Sequence, residues 1–206
     1  MPTTPIYALP YPAAADPADV PVDMQELAER VEALLGTIGI WRIADSTLGA
    51  AATSIDFPSI PQTYAHLQLV CSLRGDAAAA TAGVQLRING DAGATYFVER
   101  LRATAGTVSA FEGLTTTGFL ADISGGTAPA NHFSPVVFEL PNYRIAGLAK
   151  AAVWTEGYLS AVAAGGVTFQ NGFGAWHVAG AITRLTLVAS TGNLVSGSRA
   201  TLYGLA

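Results

Sequence analysis

Leu67-Gln68-Leu69-Val70-Cys71-Ser72-Leu73-Arg74 places an apolar residue at every second position, and Val84-Gln85-Leu86-Arg87-Ile88 repeats the pattern. Successive side chains of a strand point to opposite faces. Each stretch therefore reads as a half-buried strand with Leu67, Leu69, Cys71 and Leu73, or Val84, Leu86 and Ile88, turned to a core. Val136, Phe138 and Leu140, set around Val137 and Glu139, form a third. Working outward, 38–44, 52–57, 107–111, 117–121, 149–158, 166–170, 175–179, 182–189 and 199–205 are further strand candidates. Asn89-Gly90 between Val84–Ile88 and Thr95–Leu101 is a hairpin or tight-turn signal, because both residues tolerate positive φ. About a dozen short strands, parted by Gly, Ser, Thr and Pro with no helical pattern between them, predict a mostly β chain. The expected architecture is an antiparallel β-sandwich, jelly-roll-like and not immunoglobulin-like.

The chain does not begin in this pattern. Six of its 11 prolines fall in residues 2–21, where they forbid a helix and remove the backbone donors a sheet needs. An extended Pro-rich arm is expected, with Ile6, Tyr7, Leu9 and Tyr11 as apolar docking anchors. Asp19 as a cap and Pro21 in the first turn then announce one short α-helix. Its apolar residues Met24, Leu27, Val31 and Leu34 recur at steps of three, four and three, an a/d stripe that Gly36 should stop. So short a helix is marginal alone and needs copies or a docking surface. Bundling with symmetry mates is the favoured reading, and packing on its own domain the competing one. The expected division is 1–36, an attachment arm with a trimerisation helix, and 37–206, the β-sandwich domain.

Composition points to assembly. Of the 206 residues 12% are charged and 50% hydrophobic, which leaves a poor solvent-facing surface for a monomer. Residues 1–36 hold six acids against Arg30, a net charge of −5, so the remaining nine acids and nine bases cancel. Nothing there would neutralise a phosphate backbone, and nucleic-acid binding is not expected. No apolar run is long enough for membrane insertion. Cys71, the one cysteine, permits no intrachain disulfide and reads as a buried filler.

A search for chemistry finds no nucleophile elbow, phosphate loop, zinc-binding His pair or dinucleotide fingerprint. Glu99, Glu112, Asp122, Glu139 and Glu156 remain as a pool from which a glycosidase pair could be drawn. His66, His132 and His177 lie apart and carry no metal-site spacing. Asn89 and Asp91 read as a turn before they read as calcium ligands. Trp154, Tyr158, Phe173 and Trp176 are candidates for receptor or inter-subunit contact, but such rings more often form the core of a sandwich: core is the favoured role of Trp154, and Trp176 with Phe173 reads as core or inter-subunit contact. Asp122–Pro135 is the clearest long loop and a candidate contact surface.

Two passages resemble structural proteins of tailed-bacteriophage particles, of the tail-fibre, minor-tail and head-fibre type. One is Tyr7-Ala8-Leu9-Pro10-Tyr11-Pro12 with Asp16-Pro17-Ala18-Asp19-Val20-Pro21-Val22-Asp23-Met24-Gln25-Glu26-Leu27-Ala28, similar to their leading segments. The other combines residues 55–69, Leu86-Arg87-Ile88-Asn89-Gly90-Asp91 with Tyr96, and residues 196–205, similar to their β-domains. The resemblance implies a virion component made in the host bacterial cytoplasm. It further implies a homotrimer held by residues 1–36 to other tail, portal, collar or capsid proteins, projecting residues 37–206, with a host-surface glycan as candidate receptor. It brings no catalytic residue, cofactor or metal ligand. A capsid decoration protein is the alternative, and a glycan-degrading enzyme the more distant one.

Overall fold

The computed structural model describes residues 20–37 and 39–206. It divides into two units: one contains helix α1 (Val20–Thr37) with Ile40 and Leu205–Ala206, the other spans Trp41–Gly204. The helix starts where Pro21 and Asp23 suit a first turn, and it runs one residue past Gly36.

Twelve strands follow among the described residues: β1 (Ile40–Thr47), β2 (Ser54–Phe57), β3 (His66–Leu73), β4 (Thr81–Ile88), β5 (Tyr96–Thr104), β6 (Thr107–Thr116), β7 (Phe119–Ser124), β8 (Ser134–Pro141), β9 (Ala149–Leu159), β10 (Val167–Ala179), β11 (Leu185–Ala189) and β12 (Arg199–Leu205). They form an eight-stranded sheet, β1-β12-β3-β8-β9-β10-β5-β6, packed against a four-stranded one, β2-β11-β4-β7. The antiparallel sandwich expected from the alternation is therefore present.

Strand order shows how it is wound. β2 runs against β11, β3 against β8 and β4 against β7, while β1 neighbours β12. These eight strands are one long antiparallel ribbon whose successive segments lie in alternate sheets, which is a jelly roll. The hairpins β5–β6 and β9–β10 are inserted into that ribbon. Both join the large sheet beyond β8, which is why it has twice as many strands as its partner.

The alternation assigns the core correctly. Leu67, Leu69 and Leu73 on β3, Val84, Leu86 and Ile88 on β4, and Val136 and Phe138 on β8 are fully buried, with Leu140 and Cys71 nearly so. Between the sheets runs a row of rings. Trp176 lies 6.5 Å from Tyr96, which stands edge-on to Phe119 at 5.2 Å; Phe119 is 5.8 Å from Trp154, and Trp154 5.7 Å from Phe138. Such pairs contribute about 0.5–1.5 kcal/mol each beyond the area they bury.

Three expectations are corrected. The separate strands 166–170 and 175–179 are one strand, β10, that runs without a break through Asn171-Gly172-Phe173-Gly174. Those glycines do not turn the chain. A Cβ on Gly172 would overlap the Trp154 indole, and one on Gly174 would meet the Phe119 ring, so both are small to admit rings.

Asn89-Gly90 does turn, with φ of 53° and 74° and an Asp91 N–H to Ile88 C=O bond of 2.9 Å. It does not close a hairpin, because β4 pairs with β11 and β7 while β5 pairs with β10 and β6. The turn carries the chain from one sheet to the other. The Asn89 side-chain oxygen accepts from the amides of Thr183 and Arg184 to hold it there.

Asp122–Pro135 is shorter as a loop than expected, because Asp122–Ser124 belong to β7 and Ser134 opens β8. It also folds inward: the buried Arg74 guanidinium donates to the carbonyls of Pro129, His132 and Ala128 at 2.6, 3.1 and 2.9 Å.

Gly172→Ala is expected to destabilise the domain by about 1–3 kcal/mol through overpacking against Trp154, read as a lowered urea midpoint. Gly147→Ala is the control, since an added Cβ there meets nothing within 4 Å. Equal midpoints for the two variants would show that the indole is not confined.

Candidate functional site

Three features carry the chemistry of this chain. The first is α1. Its stripe residues Met24, Leu27 and Val31 are 66%, 40% and 36% exposed, and Val22 beside them is 47% exposed, whereas Leu34 is half-buried. Along the helix surface Gln25 Nε2 donates to Glu29 Oε1 at 2.7 Å, an i,i+4 bond worth a few tenths of a kcal/mol. The apolar stripe is thus open to another surface. The docking anchors Ile6, Tyr7, Leu9 and Tyr11 lie outside the described residues.

The second feature is the outer face of the large sheet. Of the four ring residues singled out as candidate contacts, the contact role is corrected for Trp154, Tyr158 and Trp176, which are 3%, 7% and 3% exposed; Trp154 takes the core role favoured for it, and Trp176 the core one of its two. The phase of β9 and β10 explains this, since inward positions alternate as Ala152, Trp154, Glu156 and Tyr158, and as Gly172, Gly174 and Trp176. Trp176 also spends its polar group internally, donating from Nε1 to Asp91 Oδ2 at 2.8 Å. With Thr95 and Gly93 as further donors, this bond holds the Asp91 carboxyl below the usual range. The Asn-Gly-Asp turn is therefore a bracket for the indole.

Phe173 alone of the four points outward, at 53% exposure. It stands among side chains that alternation could have revealed had the opposite phase been read: Phe97, Leu101, Val108, Val153, Val167 and Phe169 are all exposed. The register places Phe173 between Glu99 on β5 and Val153 on β9, and sets Glu99 opposite Glu112 on β6. A shallow depression of about 280 Å³ opens on the same sheet beside Val137, Glu139, Val153, Thr155 and Asn171.

The third feature is a buried ionic cluster. In the register, Arg102, Gln170 and Glu156 are neighbours across β5, β10 and β9, and Asp122 meets them from β7. Arg102 Nη2 binds Asp122 Oδ2 at 2.6 Å, Gln170 Nε2 donates to the same oxygen at 3.0 Å, and the Asp122 amide donates to Glu156 Oε1 at 3.0 Å. Arg100 Nη1 lies 3.2 Å from Asp122, an ion pair without a hydrogen bond, and 3.7 Å from Glu156. Its guanidinium also covers the Phe111 ring at 4.8 Å.

Of the five acids in the glycosidase pool, the fold thus brings Asp122 and Glu156 together, with Glu99 and Glu112 paired on the outer face. Glu156 is 1% exposed, and burial pushes its carboxyl up to about 8 despite the Asp122 amide and the two arginines. A raised carboxyl beside a second carboxylate is a general-acid arrangement in a cleft. Here Glu156 is buried between the sheets while Asp122 is partly exposed beside Arg102, and neither the depression above nor a second one of about 290 Å³ lined by Tyr158, Val167 and Phe169 includes either carboxylate.

The histidines remain apart: His66 Nδ1 accepts from the Asn142 amide, and His177 stands edge-on to Phe97. Among the described residues no cluster of three His, Cys, Asp or Glu side chains could hold a metal ion, and no helix is long and apolar enough to cross a membrane. Comparison with family models, curated proteins and solved structures returns no match.

Glu156 makes stability fall as pH rises. The folded chain keeps its proton up to about 8, whereas the unfolded chain loses it near the ordinary 4.5, so the native state is favoured below that window and penalised above it. The melting temperature of the wild type is expected to decline from pH 5 to pH 8.5, and Glu156→Gln to flatten that decline. Parallel profiles for the two proteins would place the titration elsewhere.

Proposed function

We propose that this chain is a structural subunit of a tailed-bacteriophage particle, of the fibre or spike type, anchored through its N-terminal segment and projecting the jelly-roll domain, with host-surface attachment as the task of that domain. The observation that carries the proposal is the exposed stripe of α1. An 18-residue helix with Met24, Leu27 and Val31 open to solvent has no reason to be stable alone and gains its stability from copies of itself. A charge-poor β-domain and the resemblance of residues 7–12 and 16–28 to the leading segments of phage tail components support the same reading.

In this reading α1 bundles as a trimer, and the bundle holds three β-domains at high local concentration, so weak contacts between them suffice. Ile6, Tyr7, Leu9 and Tyr11 then serve as anchors on the particle. A capsid decoration subunit is the second reading, favoured by the apolar outer sheet face as a further contact between β-domains.

Leu27→Asp with Val31→Asp is expected to convert a trimer of the full chain to monomers, measured by light scattering, without changing the β-sheet circular dichroism signal. An unchanged mass removes the bundle. A chain beginning at Ile38 separates the two readings: monomers favour the fibre, and a trimer that survives the truncation favours decoration.

A further inference from the structure

The outer face of β9, β10, β5 and β6 combines two properties that a solvated sheet face does not need. It is apolar over four adjacent strands, with Val153, Phe169, Phe173, Phe97, Leu101 and Val108 each at least 37% exposed. Four strands and the six-residue step from Val167 to Phe173 give a patch on the order of 15 by 20 Å, comparable to the largest apolar patch a monomer usually shows. Its charge is also one-sided: Glu99 and Glu112 stand directly opposite each other, Glu139 lies on β8 at the end of the same row, and the outward positions of β8, β9, β10, β5 and β6 include no lysine or arginine. Like charges facing each other across a strand pair are unfavourable, and among the described residues neither glutamate is in an ion pair.

We infer that this face is the contact between β-domains of neighbouring copies, and that it meets a different, cation-bearing surface of the second copy. The two properties divide the argument. The apolar side chains call for cover, and the uncompensated acids rule out the same face as its own partner, because twofold pairing would stack carboxylates on carboxylates. A heterologous contact between unlike surfaces is what a trimer requires, and it closes into a ring where the rotation between successive copies is a third of a turn. Exposed Arg144, beside exposed Ile145 and Leu148 on the β8–β9 connection, is a surface of matching chemistry.

A stable interface between free proteins buries about 800 Å² on each partner. This patch, on the order of 300 Å², is well under half that, so it holds copies that α1 has already gathered. The inference accordingly rests on the self-assembly proposed above.

The test is sedimentation velocity over a dilution series with the full chain, Leu101→Ser with Phe173→Ser, Glu99→Gln with Glu112→Gln, and Leu27→Asp with Val31→Asp. The serine pair should raise the concentration of half-dissociation at least tenfold, and the glutamine pair several-fold, both with an unchanged circular dichroism spectrum. If the helix variant dissociates while the serine pair behaves as the wild type, assembly through α1 stands and this inference falls. Tighter assembly of the glutamine pair would mean that the face meets itself, which overturns the heterologous contact. A lowered melting temperature of the serine pair with unchanged dissociation would assign the face to cover by the same chain, such as residues 1–19, and overturn it as well. A wild type that is monomeric at every concentration removes the self-assembly and the inference together.

Discussion

The indole of Trp154 occupies the space that a side chain at position 172 would need, and the Phe119 ring does the same at position 174. Much of the architecture depends on that exchange. Sheets in a sandwich stand about 10 Å apart, so a ring in that gap needs the neighbouring position cleared: Gly172 makes room for Trp154 beside it in the same sheet, and Gly174 for Phe119 of the opposite sheet. By surrendering two inward positions, β10 lets the row from Trp176 to Phe138 run unbroken between the sheets. Three of the five rings in this row, Tyr96, Trp154 and Trp176, belong to the inserted hairpins. These hairpins therefore belong to the core and are not ornaments on a finished jelly roll, and the large sheet keeps its full width with an outer face to match.

Along the same strands the inward chemistry changes. On β10 the series Trp176, Gly174, Gly172 gives way to Gln170 and Thr168; on β5, Tyr96 and Val98 give way to Arg100. The ionic cluster around Asp122 and Glu156 fills this second half. Removing such charges from water costs several kcal/mol per ion, offset here by mutual pairing, by the Asp122 amide and by a proton retained on Glu156. An apolar filling of equal volume would hold the sheets at least as well, so the cluster contributes to fixing the position of β7 against β5, β9 and β10 more than to stability.

How much of this could be read from the residues depends on whether the signal was local. Period-two alternation named the inward residues of β3, β4 and β8, because one buried face forces that pattern wherever the strand pairs. The positive φ of Asn89 and Gly90 was equally legible, but a turn dictates only the direction of the next few residues and not which sheet receives them. The division of β10 into 166–170 and 175–179 fails for the same reason: the meaning of Gly172 and Gly174 lies in Trp154 and Phe119, 18 and 55 residues away in sequence. The contact role assigned to Trp154, Tyr158 and Trp176 followed residue type, whereas strand phase decides it, and phase also picks out Phe173 and its exposed neighbours. The a/d stripe of α1 needed nothing beyond the helix itself, and the arm residues 6–11 are outside what the structure describes.

The order of strands in the sheets differs from their order in the chain in one respect that matters for how the molecule is made. β11 lies between β2 and β4, and β12 between β1 and β3. The last two strands synthesised are thus interior members of both sheets, and the earliest ones cannot complete their ladders until these arrive. Contacts so distant in sequence form slowly. During that interval β1 to β4 present unpaired edges and apolar faces, the state in which β-rich chains most readily join the wrong partner. A newly made chain passes through its most vulnerable period with these strands open, so efficient production calls for their shielding until β11 and β12 have closed the sheets.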